Sequence, residues 1–256
     1  MKIFVCIKQV PDTETKIKIN NSNQIDTTGI KWVMNPYDEY AVEESIKLKE
    51  KNPGSTVWAV TVGPKVRCVE VLRTAIAMGA DEGIVIDSQT DLDLGTTAQA
   101  LAKTIQQEGG AQVIFTGKLA IDDNASSISQ MLAEYMQIPH TTVVSKFSMD
   151  AEKVTVERDI EGGAKEVVQL ATPCVIAANK GLNMPRYASL PGIMKAKKKV
   201  IKELSLDSLG IQKSAKTNIL NLELPAEKPA VKMLAGDSTK QASELVQLLR
   251  DEAKVL

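Results

Sequence analysis

The feature that most constrains this chain is the alternation of short apolar runs with longer segments of helical character across residues 3–116. IFVCIK (residues 3–8) is a continuous apolar run of the kind found in a strand buried on both faces. TVWAVTV (56–62) ends at Gly63-Pro64, GIVI (83–86) follows a turn at Gly79-Ala80-Asp81, and VIFT (113–116) ends at Gly117. Between them lie PYDEYAVEESIKLKEK (36–51), residues 65–78 and residues 96–107, each long enough for a crossover helix. Asn35 reads as the N-cap of the first helix, with Pro36 at its first position. Tyr37, Ala41, Ile46 and Leu48 give that helix its apolar stripe, and Glu43, Glu44 and Lys47 a solvated face. Strands and helices at this spacing predict a doubly wound, mostly parallel α/β sheet with helices on both faces.

From about residue 141 the pattern becomes β-rich. TTVVSKFSM, KVTVERDIEGG and KEVVQLATPCVIAA read as neighbouring strands joined by tight turns that extend or cap the sheet. Residues 181–199 read as too irregular for a sheet or a single helix, and residues 205–236 as loop, with Pro225 and Pro229. The chain closes on an amphipathic helix over 239–254, capped by Asp237 or Ser238, with Leu245, Leu248 and Leu249 as its stripe. The expected division is an α/β nucleotide-binding domain over 1–204 and a C-terminal arm with its helix over 205–256.

Composition narrows the function classes. Basic and acidic side chains number 31 and 32, for a net charge of −1, which speaks against nucleic acid as a partner. No window reaches the roughly 18 to 20 uncharged apolar residues of a membrane helix, and MKIFVCIKQV is charged too early for a signal peptide. No direct membrane insertion is expected, and the reading is a cytoplasmic protein. Cys6, Cys68 and Cys174 lack C-x-x-C spacing and read as buried reduced thiols. The one histidine, His140, follows Pro139 and reads as a turn or surface residue, so neither a metal site nor a Ser-His-Asp triad is expected.

Ligands of open parallel sheets bind beyond the carboxyl ends of the strands, where strand order reverses. Four segments would meet there: Cys6 to Lys8, Asn35 to Asp38, Val62-Gly63-Pro64, and the loop GKLAIDDNASSISQM. That loop leaves a strand at Gly117, carries Asp122, Asp123 and Asn124, and sets Ser126, Ser127 and Ser129 at a helix start. Small residues at a helix start leave backbone N–H groups free for a phosphate. Simple capping by Asp or Asn explains the same residues. The chain has no G-x-x-x-x-G-K-[ST] and no G-x-G-x-x-G after its first strand, so nothing is arranged to split a nucleotide. Farther on, RYASLPGIM sets Tyr187, Leu190, Ile193 and Met194 beside the four lysines of MKAKKK. An apolar tip beside a charged strip suits a transient partner.

VERDIEGGAKEVVQLATPCVIAA (156–178), with Arg158, Glu161, Gly162-Gly163 and Pro173, resembles the signature of the electron transfer flavoprotein β subunit. VCIKQVPD, MNPYDEYAVEESIKLKE, LRTAIAMGAD and GKLAIDDN agree with that family in the same order, and NMPRYASLPGIMKAKKK resembles its partner-recognition loop. The resemblance covers about residues 1–204, and the tail beyond reads as longer than the common pattern.

The resemblance implies an adenine-nucleotide-binding fold and a heterodimer with an α subunit that carries most of an FAD site near the interface. AMP would sit in the β subunit against Cys6, Asn35, Pro36, Tyr37, Asp38, Val62 and Gly63. The rest of that site would be Gly117, Lys118, Leu119, Ala120, Ile121, Asp122, Asp123, Asn124, Ala125, Ser126, Ser127 and Ile128. Tyr37 and Thr13 would lie toward the flavin ring. Leu190 would anchor a flavin-dependent dehydrogenase, framed by Arg186, Tyr187, Pro191, Ile193 and Met194, and electrons would pass to a quinone reductase or another acceptor. A carrier of this kind is not an enzyme. A flavin-bifurcating relative would hold a second FAD in place of AMP, but AIDDNASSISQM and the Leu190-Pro191 pair favour AMP. A stand-alone adenine-nucleotide sensor of the universal-stress-protein kind would share the sheet without flavin.

Overall fold

Runs that are apolar at every position need cover on both faces, and the molecule supplies it. The computed structural model describes residues 1–89, 92–212, 216–217, 219–228 and 230–256. Its first part runs β1 (Lys2–Cys6), β2 (Gln9–Pro11), β3 (Trp32–Met34), α1 (Pro36–Lys51), β4 (Thr56–Gly63), α2 (Lys65–Met78), β5 (Glu82–Asp87), α3 (Leu94–Gln107) and β6 (Val113–Gly117). There follow α4 (Ile128–Met136), β7 (His140–Asp150), β8 (Lys153–Asp159), β9 (Lys165–Ala171), β10 (Cys174–Ala178), α5 (Leu190–Lys198), β11 (Lys202–Ser205) and α6 (Ser238–Asp251).

Nine strands form one sheet in the order β11-β5-β4-β1-β6-β10-β7-β8-β9, and β2 and β3 pair separately. Pairing is parallel from β11 to β7 and antiparallel across β7, β8 and β9. This is the mostly parallel α/β architecture that the alternation predicts. The chain builds outward from β1 to β4 and β5, then returns to lay β6 on the other side of β1. Strand order therefore reverses between β1 and β6.

Successive strand residues point to opposite faces, and β1 divides accordingly. Ile3, Val5 and Ile7 join Ala41 and Ile46 of α1 and Val71 and Leu72 of α2 in one core. Phe4 and Cys6 join Leu101 and Ile105 of α3 and Leu132 of α4 in the other. All three cysteines are free and buried, and burial pushes the Cys174 thiol up to about 12.

Three expectations need correction. The last β-rich run is two strands. KEVVQLA alternates with exposed positions and pairs with β8 at the outside of the sheet, whereas CVIAA is buried throughout and inserts as β10 between β6 and β7. Residues 181–199, expected to be irregular, contain α5, capped by Ser189 accepting from Gly192 N–H, with proline in the first turn. Glu43 and Glu44, expected on a solvated face, are 4% and 5% exposed. They are covered by residues 183–186, whose Asn183 and Arg186 bond to their carboxylates.

The chain divides into two compact units, one of residues Met1–Ile17 and Asp26–Leu220, the other of Lys18–Ile25 and Asn221–Leu256. In the second, α6 is capped by Asp237 accepting from Lys240 N–H, and Leu245 and Val246 are exposed. Pro229 lies outside the described residues. Among the described residues no helix is long and apolar enough to cross a membrane, and no group of three or more His, Cys, Asp or Glu side chains could hold a metal ion.

Candidate functional site

Strand order reverses between β1 and β6, where ligands of open parallel sheets bind, and the first turn of α1 organises the segments at their carboxyl ends. Asp38 is 5% exposed and accepts from three donors on three segments. These are Lys8 N–H at 2.7 Å, Gly117 N–H at 3.0 Å and Asn35 Nδ2 at 3.0 Å. One carboxylate thus joins the ends of β1 and β6 to α1. Asn35, 1% exposed, stands at the N-cap position but makes no side-chain cap bond. Its amide instead braces the following loop, donating to Leu119 C=O at 2.8 Å and accepting from Ile121 N–H at 3.2 Å. Gly117 is dictated by space. A Cβ there would lie 2.3 Å from Asp38 Oδ1 and 2.8 Å from Tyr37 Cβ.

The loop folds largely onto itself. Ser126 Oγ donates to Lys118 C=O at 2.9 Å, Ser127 Oγ donates to Ala125 C=O at 2.6 Å, and Asp123 Oδ1 accepts from Ala125 N–H at 2.9 Å. Asn124 and Ser126 sit in the left-handed region, at φ 50° and 48°. Asp122 and Asp123 do not cap α4. Both carboxylates pair with Lys8 Nζ, at 2.8 Å and 3.0 Å. Helix α4 begins after Ser127 with no side-chain cap, so its first-turn N–H groups keep the unpaired character of an open helix start.

Electrostatics follow burial. Removal from water pushes the Asp38 carboxyl up to about 7, against the three hydrogen bonds that favour its charged form. Burial and the nearby Asp38 carry the Cys6 thiol far above the usual range, so it acts as packing rather than as a nucleophile. Desolvation opposes the charge on Lys8, but the Asp122 and Asp123 pairs outweigh it and its pKa is raised. Lys118 Nζ lies 5.0 Å from the ring centre of half-buried Tyr37. On the same side of the sheet as Cys6, the Thr116 hydroxyl is buried without a hydrogen-bond partner.

Of the residues expected from sequence, Asn35 and Asp38 meet Gly117, Leu119 and Ile121 through direct bonds. Pro36 and Tyr37 complete the α1 turn, Ala120 accepts from Asn124 N–H, and Ile128 opens α4. Val62 and Gly63 stand one strand over, at the end of β4 beside β1. Thr13 is exposed, just beyond β2. Lys8, at the end of the Cys6-to-Lys8 segment expected here, ties both aspartates, a pairing that the sequence did not assign to it.

The second candidate region lies elsewhere. Tyr187 is 98% exposed and Leu190 72%, and Met194, Ile193 and Pro191 are exposed beside them. The Arg186 guanidinium points back to α1, bonded to Glu43 and Glu50.

Residues 22–209 match the family model described as electron transfer flavoprotein domain. A Bacillus subtilis electron transfer flavoprotein subunit beta is 42% identical over 262 aligned positions, covering all of both chains. The mouse protein of that name is 37% identical, covering all of this chain and 99% of its own. A mitochondrial one from Oryza sativa subsp. japonica is 38% identical over all of both. Because these matches run the full length of the chain, they correct the expectation that the tail beyond residue 205 is longer than the common pattern.

Proposed function

The chain belongs to the electron transfer flavoprotein family as a β subunit, and from that premise we propose how it works. It pairs with an α subunit, completes an FAD site near their interface, and holds AMP in the crevice between β1 and β6. A flavin-dependent dehydrogenase docks on residues 186–194, and electrons pass on to a quinone reductase or another acceptor. The chain is an electron-carrier subunit rather than an enzyme.

The observation that carries the nucleotide reading is the bracing of residues 117–121 by Asn35 and Asp38 beside the uncapped start of α4. A phosphate accepts from first-turn N–H groups at no further cost in side-chain ordering. Lys8 offsets the two nearby carboxylates that would repel it. The orphaned Thr116 hydroxyl supplies one more polar atom for a ligand or its bridging water. The Ser126 and Ser127 hydroxyls are turned to the loop's own carbonyls, so recognition falls to backbone groups.

FAD, when bound, supplies the redox chemistry, and this chain's part is to shape and shield one side of that site with Tyr37 and Thr13. The tail from residue 205 packs on the α subunit, which the exposed Leu245 and Val246 of α6 support. Three unpaired, buried thiols fit a cytoplasmic, reducing compartment.

Denaturing the purified heterodimer and counting released cofactors tests this reading. One FAD and one AMP are expected. Two FAD would replace it with the bifurcating form, and ATP without flavin with a nucleotide sensor. Leu190→Ala should slow reduction by the dehydrogenase while FAD content stays unchanged; loss of flavin would show that residues 186–194 serve the cofactor site instead.

A further inference from the structure

An exposed apolar tip has no contacts of its own to fix its shape, so what surrounds Tyr187 and Leu190 decides how they are presented. We infer that Arg186 is a positioning residue that clamps the docking segment to α1 through Glu43 and Glu50, rather than a residue that touches the partner. This rests on the reading that residues 186–194 dock the dehydrogenase.

The guanidinium is engaged on both sides. Arg186 Nε and Nη2 donate to the two Glu43 oxygens at 2.8 Å and 2.9 Å, and Nη1 and Nη2 to the two Glu50 oxygens at 2.6 Å and 3.1 Å. The Arg186 backbone N–H adds a bond to Glu43 Oε2 at 3.1 Å. Bidentate geometry at two carboxylates fixes direction as well as distance. Glu43 is nearly fully buried, so removing this partner would leave a polar group in the interior without its bonds. Hydrogen bonding between them raises the Arg186 pKa and lowers that of Glu50. Three residues earlier, Asn183 Nδ2 donates to Tyr40 C=O and Glu44 Oε2, both at 2.9 Å.

The far end is tied to different elements. A Cβ on Gly192 would lie 2.3 Å from Ala77 C=O, so the start of α5 presses directly on the end of α2. Arg73 donates to the carbonyls of Ala196 and Lys197, and Lys199 pairs with Glu82 at 2.6 Å. Tyr187 and Leu190 project between these two anchorages. Tyr187 follows Arg186 directly, so its backbone starts from the clamped residue while its ring stays in water. A segment held in its docking shape loses less freedom when the partner arrives, and that saving appears in affinity.

The test uses the intact heterodimer and the flavin-dependent dehydrogenase that reduces the wild type. Arg186→Lys keeps the charge but loses the fork. The double variant Arg186→Met with Glu43→Gln removes both charges and leaves no orphaned buried carboxylate, so it guards against simple misfolding. Both should raise KM for the flavoprotein about tenfold with kcat within about twofold. Both should also speed amide exchange across residues 184–194 and leave residues 113–128 and the FAD and AMP content unchanged. Leu190→Ala, run in parallel, should raise KM without altering exchange. A raised KM with exchange protection intact would overturn the inference by making Arg186 a direct contact. Faster exchange with KM unchanged, beside a normal Leu190→Ala defect, would overturn the clamp alone. An unchanged KM for Leu190→Ala would overturn the docking reading itself.

Discussion

Residues 117–128 and residues 183–186 both hang from α1. The first is held at its opening turn by Asn35 and Asp38, the second along its length by Glu43, Glu44 and Glu50. At the opening turn, buried side chains of α1 bond to backbone groups of the loop, and the loop's own hydroxyls face inward. Farther along, α1 carboxylates bond to side chains of the docking segment, and its apolar residues are left in water. Under the proposed function one helix then serves two kinds of recognition, by backbone groups at its opening turn and by apolar side chains, exposed here, on the outside.

The largest test of this contrast is Asp38→Ala. It leaves the N–H groups of Lys8 and Gly117 without their acceptor, and should cost about 3 kcal/mol, with loss of bound AMP. Denaturant unfolding of the heterodimer at fixed concentration reads it out; unchanged stability would mean that α1 does not organise the crevice. The same residue gives a pH dependence. Its carboxyl has an ordinary pKa of 3.8 and is raised to about 7 by burial. The folded state therefore keeps a proton that the unfolded state has released. Stability from this group is fully present below about pH 4 and is lost as pH rises to about 7. Asp38→Asn should flatten the stability curve across that range.

Gly117→Ala comes next, at about 2 kcal/mol, because the added carbon meets Asp38 and the Tyr37 backbone rather than a flexible chain end. AMP content should fall while the KM for the flavoprotein stays normal. The smallest effect belongs to the other region. Ser189→Ala removes the cap of α5 and should cost about 1 kcal/mol. It should raise KM for the flavoprotein and leave the nucleotide in place; a shift in AMP content instead would erase the distinction between the two regions.

Much of this was legible in the residues. Strand and helix alternation over residues 3–116 depends on local periodicity and on caps, and the elements fall close to where the pattern puts them. The meeting of the β1 and β6 ends was legible because strand ends converge wherever a parallel sheet reverses. What escaped was set by distant partners. Glu43 and Glu44 look like any solvated helix face until Arg186 and Asn183, about 140 positions later, fold over them. Asn35 reads as a cap, but its amide serves a loop more than 80 positions away. Lys8 likewise finds Asp122 and Asp123 at separations of 114 and 115. No local pattern encodes such pairs.

The strand order gives the docking segment one more property. Residues 179–201 connect β10 to β11, and β6, β1, β4 and β5 lie between those two strands. Five strand spacings amount to roughly 24 Å, so the segment travels across most of the parallel sheet and is fastened to helices that arise early in the chain. Contacts of such long sequence separation form late. A copy whose sheet is still incomplete has no fastening points for the tip, so on the proposed docking role a displayed Leu190 would certify assembly, and a dehydrogenase would meet only finished carriers.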